Sequence, residues 1–127
     1  MDVLIQYGFS IEEIKIMMDA NDRIESLPDK DIYDLIELLV KVGCDTHHIR
    51  NIFIGNPFYL SNNIGEVRNL ISKLQEIGFQ DLYILFDSNP YLLNVLVDDL
   101  ESFYQTKISQ GFQIDEIMSM IEKKIIF

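Results

Sequence analysis

The sequence predicts an all-α fold, a short solenoid of about 3.5 helix-pair repeats of 33–35 residues. Three observations lead there. Four glycines head similar phrases: Gly8-Phe9-Ser10-Ile11, Gly43-Cys44-Asp45-Thr46, Gly78-Phe79-Gln80-Asp81 and Gly111-Phe112-Gln113-Ile114, spaced by 35, 35 and 33 residues. A second landmark keeps the same register, since Pro57 precedes Gly78, and Pro90 precedes Gly111, by 21 residues, with Asp22 in that place before Gly43. Between the landmarks the apolar positions coincide without a gap. Self-similarity at such a period marks stacked supersecondary units, each covering its neighbour's apolar face.

The chain then reads as one domain over 1–127, with repeats at 8–42, 43–77 and 78–110 and a partial repeat at 111–127. Residues 1–7 read as the tail of a truncated preceding repeat. Within each copy the first helix starts two residues after the glycine. Ser10 with Glu13 fits a capping box and Asp45 is a good N-cap, because a side-chain oxygen there accepts from an otherwise orphaned N–H. This helix runs about ten residues, through Ile14 and Met17–Met18 or Ile49 and Ile52–Phe53. Pro57 or Pro90 stops it, since the residue before proline avoids the helical region. Phe58-Tyr59-Leu60 and Tyr91-Leu92-Leu93 read as a further turn of helix.

The second helix carries an apolar stripe at i, i+3, i+4 and i+7, as in Ile32, Leu35, Ile36 and Leu39. Val67, Leu70, Ile71 and Leu74 repeat it; Leu100, Phe103 and Tyr104 do so until Lys107 breaks the last column. Glycine closes each second helix because it adopts the left-handed cap conformation at least cost. Upstream, Ile24, Tyr59 and Leu92 align, and Ile14, Ile49, Ile84 and Ile117 all stand six positions after their glycines. The third copy is two residues shorter, the loss falling in its first helix between Gly78 and Pro90. Terminal units of such arrays need a polar outer face. The apolar ends Leu4-Ile5 and Ile125-Ile126-Phe127 therefore either fold back or meet another chain.

A glycine-phenylalanine opening a helix, an Asn-Pro followed by an apolar pair, and a leucine-rich second helix ending in glycine together resemble the mitochondrial transcription termination factor (mTERF) repeat. Asn56-Pro57-Phe58-Tyr59-Leu60 and Asn89-Pro90-Tyr91-Leu92-Leu93 are the segments most similar to it. The resemblance implies a curved, right-handed stack of helix pairs whose basic inner groove holds duplex DNA or structured RNA, in organellar transcription or ribosome assembly. The chain departs from that pattern in having about half the usual number of repeats and in being acidic.

Its formal charge of −11, from 21 acidic and 10 basic residues, repels phosphate backbones at long range. Basic residues serving a nucleic acid in a repeat protein should recur in one column. Lys15 and Arg50 share a place seven positions after their glycines, but Leu85 and Met118 hold it later, and Arg68, Lys41, Lys73 and Lys107 fall elsewhere. Catalytic and metal sites are not expected. His47 and His48 are adjacent and point about 100° apart on a helix. Glu12-Glu13, Asp98-Asp99-Glu101 and Asp115-Glu116 sit at helix starts, where the dipole favours negative charge, or opposite the apolar stripe. Cys44 reads as a small buried hydrophobe. Phe9, Phe79 and Phe112 share a core column, while Tyr33 and Tyr83 stand outside the columns as candidate interface tyrosines.

By elimination, the expected function is a non-catalytic binding module for a protein partner, possibly basic, or for a second copy of itself. The alternative is an mTERF-like nucleic-acid-binding regulator using Lys15, Arg50 and Arg68. No cofactor, small-molecule substrate or membrane is expected. Met1–Gln6 lacks the basic flank and apolar run of a secretory signal, so a cytoplasmic setting is the default.

Overall fold

A computed structural model describes residues 2–123; Lys124 and the apolar end Ile125-Ile126-Phe127 lie outside the described residues. The helices are α1 (Asp2–Gln6), α2 (Ile11–Ala20), α3 (Asp29–Lys41), α4 (Thr46–Gly55), α5 (Ile64–Ile77), α6 (Leu82–Ser88), α7 (Val97–Ser109) and α8 (Ile114–Glu122). Three short 3-10 helices separate first from second helices: η1 (Asp22–Ser26), η2 (Pro57–Ser61) and η3 (Pro90–Asn94). No strand occurs among the described residues.

Local chemistry accounts for each boundary. The Ser10 hydroxyl accepts from Glu13 N–H at 3.0 Å while Glu13 Oε1 accepts from Ser10 N–H at 2.9 Å, closing the expected box. At α4, Asp45 Oδ1 accepts from His48 N–H, and His48 Nδ1 takes the place of the usual glutamate by accepting from Asp45 N–H. Gly8, Gly43, Gly78 and Gly111 all have positive φ, from 91° to 137°. In each case the next residue's N–H reaches back five positions, as from Cys44 to the Leu39 carbonyl at 3.0 Å and from Phe112 to that of Lys107 at 3.1 Å. That bond marks a Schellman ending, which requires the left-handed residue.

The elements pack in rows. Second helices follow one another as α1, α3, α5 and α7, first helices as α2, α4 and α6, and the 3-10 helices as η1, η2 and η3. A single core of buried side chains runs through all three rows. Ile24, Tyr59 and Leu92 fill the 3-10 row, and Leu35, Leu39, Leu70 and Leu74 fill the second-helix row. Tyr59 is buried outright, and its hydroxyl donates to the Leu35 carbonyl at 2.6 Å.

The third unit departs from the sequence register. Its two missing residues come out of the first turn, so α6 begins four residues after its glycine where α4 begins three after Gly43. Positions in α6 consequently shift by two. Leu82, at 1% exposure, takes the core place expected of Ile84, which is 55% exposed. Tyr83, expected to stand outside the columns, becomes the counterpart of Arg50 in place of Leu85. It is partly buried against the core, with its ring 5.2 Å from that of His48.

Among the described residues three polar side chains are buried, Asn21, Asn56 and Asn89, and they are the same position of three successive units. Each ends a first helix, donating its N–H to the carbonyl four residues back. The side chains then cross to the next unit. Asn21 Nδ2 donates to the Pro57 carbonyl at 3.2 Å and to Ser61 Oγ at 2.8 Å. Asn56 Nδ2 donates to the Pro90 carbonyl at 2.9 Å, while Asn56 Oδ1 accepts from Asn94 Nδ2 at 2.8 Å. Ser61 and Asn94 are themselves equivalent, five residues beyond their units' asparagines. Among the described residues the Asn89 side chain has no such acceptor.

Replacing Asn56 by alanine leaves the Pro90 carbonyl and the Asn94 amide without their partner, and a buried polar group so orphaned costs about 1–3 kcal/mol. We expect Asn56→Ala to lower the urea midpoint by a corresponding amount and Asn89→Ala to lower it much less; equal losses would remove the cross-unit bond as the cause.

Candidate functional site

Four of the ten cations are engaged within the molecule. Arg50, on α4, turns back toward the preceding unit and meets Glu13 with two hydrogen bonds, 3.0 and 2.9 Å long, from one guanidinium nitrogen. Lys73 on α5 pairs with Glu101 on α7, lies near Glu76, and sits 5.2 Å from the centre of the Tyr104 ring. Lys30 pairs with Asp34 one turn on. Lys107 stands over the Phe103 and Phe112 rings, at 5.6 and 5.2 Å from their centres. A lysine in that apolar column is accommodated because its stem packs on rings while the ammonium faces their negative π-clouds.

The three cations tied to nucleic-acid recognition are therefore placed as follows. Lys15 is exposed on α2 and Arg50 holds the corresponding place on α4, engaged with Glu13. Arg68 is on α5, in the other row, where it lines a shallow cleft of about 240 Å³ with Tyr33, Asp34, Glu37 and Lys41. Neither Lys15 nor Arg50 lines that cleft. A second cleft, of about 410 Å³, lies where the shortened α6 faces α8; Phe79, Ile84, Leu85 and Met118 form its apolar part, with Asp81 and Glu122.

The histidines are absorbed locally, His48 in its cap and against Tyr83, and His47 beside Asn51. No group of three His, Cys, Asp or Glu side chains among the described residues is arranged to hold a metal ion. The Cys44 thiol is buried and pushed up to about 12, first by burial and then by Asp87 and Asp45, so it stays protonated and unreactive at neutral pH. Tyr7 donates to Glu37 at 2.7 Å, which with burial raises its phenol to about 12.

Glu13 was visible in the sequence as a capping residue but not as the partner of Arg50. The signal was present, an acid five places after one glycine and a base seven places after the next, yet two residues 37 apart are brought together only once the first helices stack. Comparison with models of known families, with characterised proteins and with solved structures gives no match. No helix among the described residues is long and apolar enough to cross a membrane.

Three carboxyls are held below their ordinary range: Glu13 by the Ser10 backbone N–H and then Arg50, Asp45 by the His48 backbone N–H, and Glu101 by Lys73. A carboxyl depressed in the folded chain binds its proton more readily when unfolded. Its contribution is complete above the unfolded value, 4.5 for a glutamate, and disappears as pH falls through the lower folded value. Thermal unfolding followed by circular dichroism should thus show wild type above Glu13→Gln in Tm by a constant margin from neutrality to about pH 5, the margin shrinking as pH falls below 4.5. A margin that does not change with pH would contradict this assignment.

Proposed function

We propose that this chain is a non-catalytic binding module for protein partners, built as a short right-handed solenoid of mTERF-like helix pairs. The four positive-φ glycines, the recurrent buried asparagine and the stacking of like elements on like support the repeat architecture. The observation that carries the functional reading is the engagement of four of its ten cations. On a chain of net charge −11, Arg50, Lys73 and Lys30 neutralise the molecule's own carboxylates, and Lys107 is held on aromatic rings. Neutralising phosphates would require Lys and Arg gathered in one groove. The acidic excess instead steers a basic protein surface toward this one, and Ile11, Tyr33, Ile84 and Tyr91 offer exposed apolar area for contact.

The mTERF-like landmarks favour one other reading, a nucleic-acid-binding regulator, and titrations at two salt concentrations separate the two. Mixed duplex DNA, structured RNA and a lysine- and arginine-rich peptide are each titrated at about 50 mM and about 200 mM salt. We expect a shift only with the peptide, weakened by salt. Retardation of duplex or structured RNA that weakens steeply with salt, and is lost in a Lys15→Glu, Arg50→Glu variant, would replace the protein-binding reading with the nucleic-acid one.

A further inference from the structure

Halves of the contact that joins one first helix to the next stand exposed on α8 and on α2. Within the chain that contact has two parts. The residue seven after a unit's glycine reaches back to the residue five after the preceding glycine, as Arg50 does to Glu13. With the shift of two in α6, Tyr83 does the same to His48. The same helix also covers the preceding glycine. A β-carbon on Gly8 would lie 3.7 Å from Thr46, one on Gly43 would lie 2.9 Å from Tyr83, and one on Gly78 would lie 3.3 Å from Met118.

At Gly111 no described residue provides that cover, and a β-carbon there would meet nothing within 4 Å among the described residues. Beside it stands Glu116, five residues after its glycine and thus the counterpart of Glu13. The two are held alike: Glu116 Oε1 accepts from Gln113 N–H at 3.0 Å as Glu13 Oε1 accepts from Ser10 N–H at 2.9 Å. Glu116 is exposed on α8 and lacks an Arg50 counterpart among the described residues. The opposite end of the molecule carries the complementary half. On α2, Ile11 occupies the place of Thr46 and Lys15 the place of Arg50, both exposed, Ile11 at 79%. The rows match as well, because α8 is a first helix without a described second helix, and α1 packs on α3 as a second helix does.

We infer that a second copy of this chain docks head to tail on the α8 face, with its Lys15 paired to Glu116 and its Ile11 over Gly111. The inference rests on the reading of the chain as a protein-binding module and names its partner. The surfaces that meet are different, so the contact is heterologous and repeats without closing, which produces an open series of copies instead of a closed dimer. Net repulsion between acidic copies opposes it at low ionic strength and is screened at moderate salt.

Sedimentation velocity at about 150 mM salt, where the Debye length is about 8 Å, tests this from micromolar to sub-millimolar protein. The wild type should rise in average mass with concentration, past a dimer. Lys15→Glu, at an exposed mid-helix site, and Glu116→Lys should each remain monomeric. An equimolar mixture of the two should recover association, since each supplies the end the other lacks. Circular dichroism of each variant confirms its helix content. Recovery in the mixture supports the inference. A monomeric wild type throughout, or association untouched by either charge reversal, overturns it. The peptide titration above is unaffected by either outcome, so failure of this contact and failure of the protein-binding reading are distinguishable.

Discussion

A buried carboxamide crossing from one unit to the next is the constraint on which the rest of the structure depends. Proline at the start of η2 or η3 has no N–H to give, but its carbonyl lies at the junction of units and needs a donor. Asn21 and Asn56 provide one, and both are fixed in place because their own N–H groups end the preceding helix. Helix length, proline position and unit spacing are thereby coupled. Sliding one unit along the next by a single residue would break the amide–carbonyl bond and expose a polar group to an apolar core, at a cost comparable to a large fraction of a small domain's stability.

Close approach at the glycines is the second half of that coupling. Gly43 has a φ of 102° and the Tyr83 ring against it, so both the backbone conformation and the space exclude a side chain. The cover comes from two places on the next first helix, Thr46 three residues after its glycine and Tyr83 and Met118 at the place of Arg50, so it depends on a side chain of suitable reach and not on a particular chemistry. The loss of two residues from α6 is tolerated for the same reason. Removing the first turn keeps the asparagine, the proline and the closing glycine in register, and only the residue that fills each place changes.

Much of this was legible in the sequence. Glycine spacing, Asn-Pro landmarks and the Ser10–Glu13 box gave helix boundaries close to those observed, since they depend on backbone conformation and hydrogen bonds within a few residues. What escaped depends on distance. Counting from Gly78 placed Ile84 in the core, whereas counting back from Pro90 places Leu82 there; a gap inside a helix cannot be located from one copy alone. Asn56 and Asn89 read as the residues before proline, and nothing within a unit shows that the side chains of Asn21 and Asn56 satisfy a carbonyl in the next. The pairing of Arg50 with Glu13 was hidden for that reason too, and with it the near equivalence of Glu13 and Glu116.

Burial is shared unevenly along the second-helix row. Five apolar side chains are buried in α3 and five in α5, but only Leu100 in α7. Where units touch chiefly their neighbours, free energy accumulates unit by unit and interface by interface, and opening is local before it is global. Backbone amides of α7 therefore exchange with solvent through openings that leave α3 and α5 intact. The molecule thus has a firm middle and a yielding flank, and slow processes such as proteolysis will find the flank first.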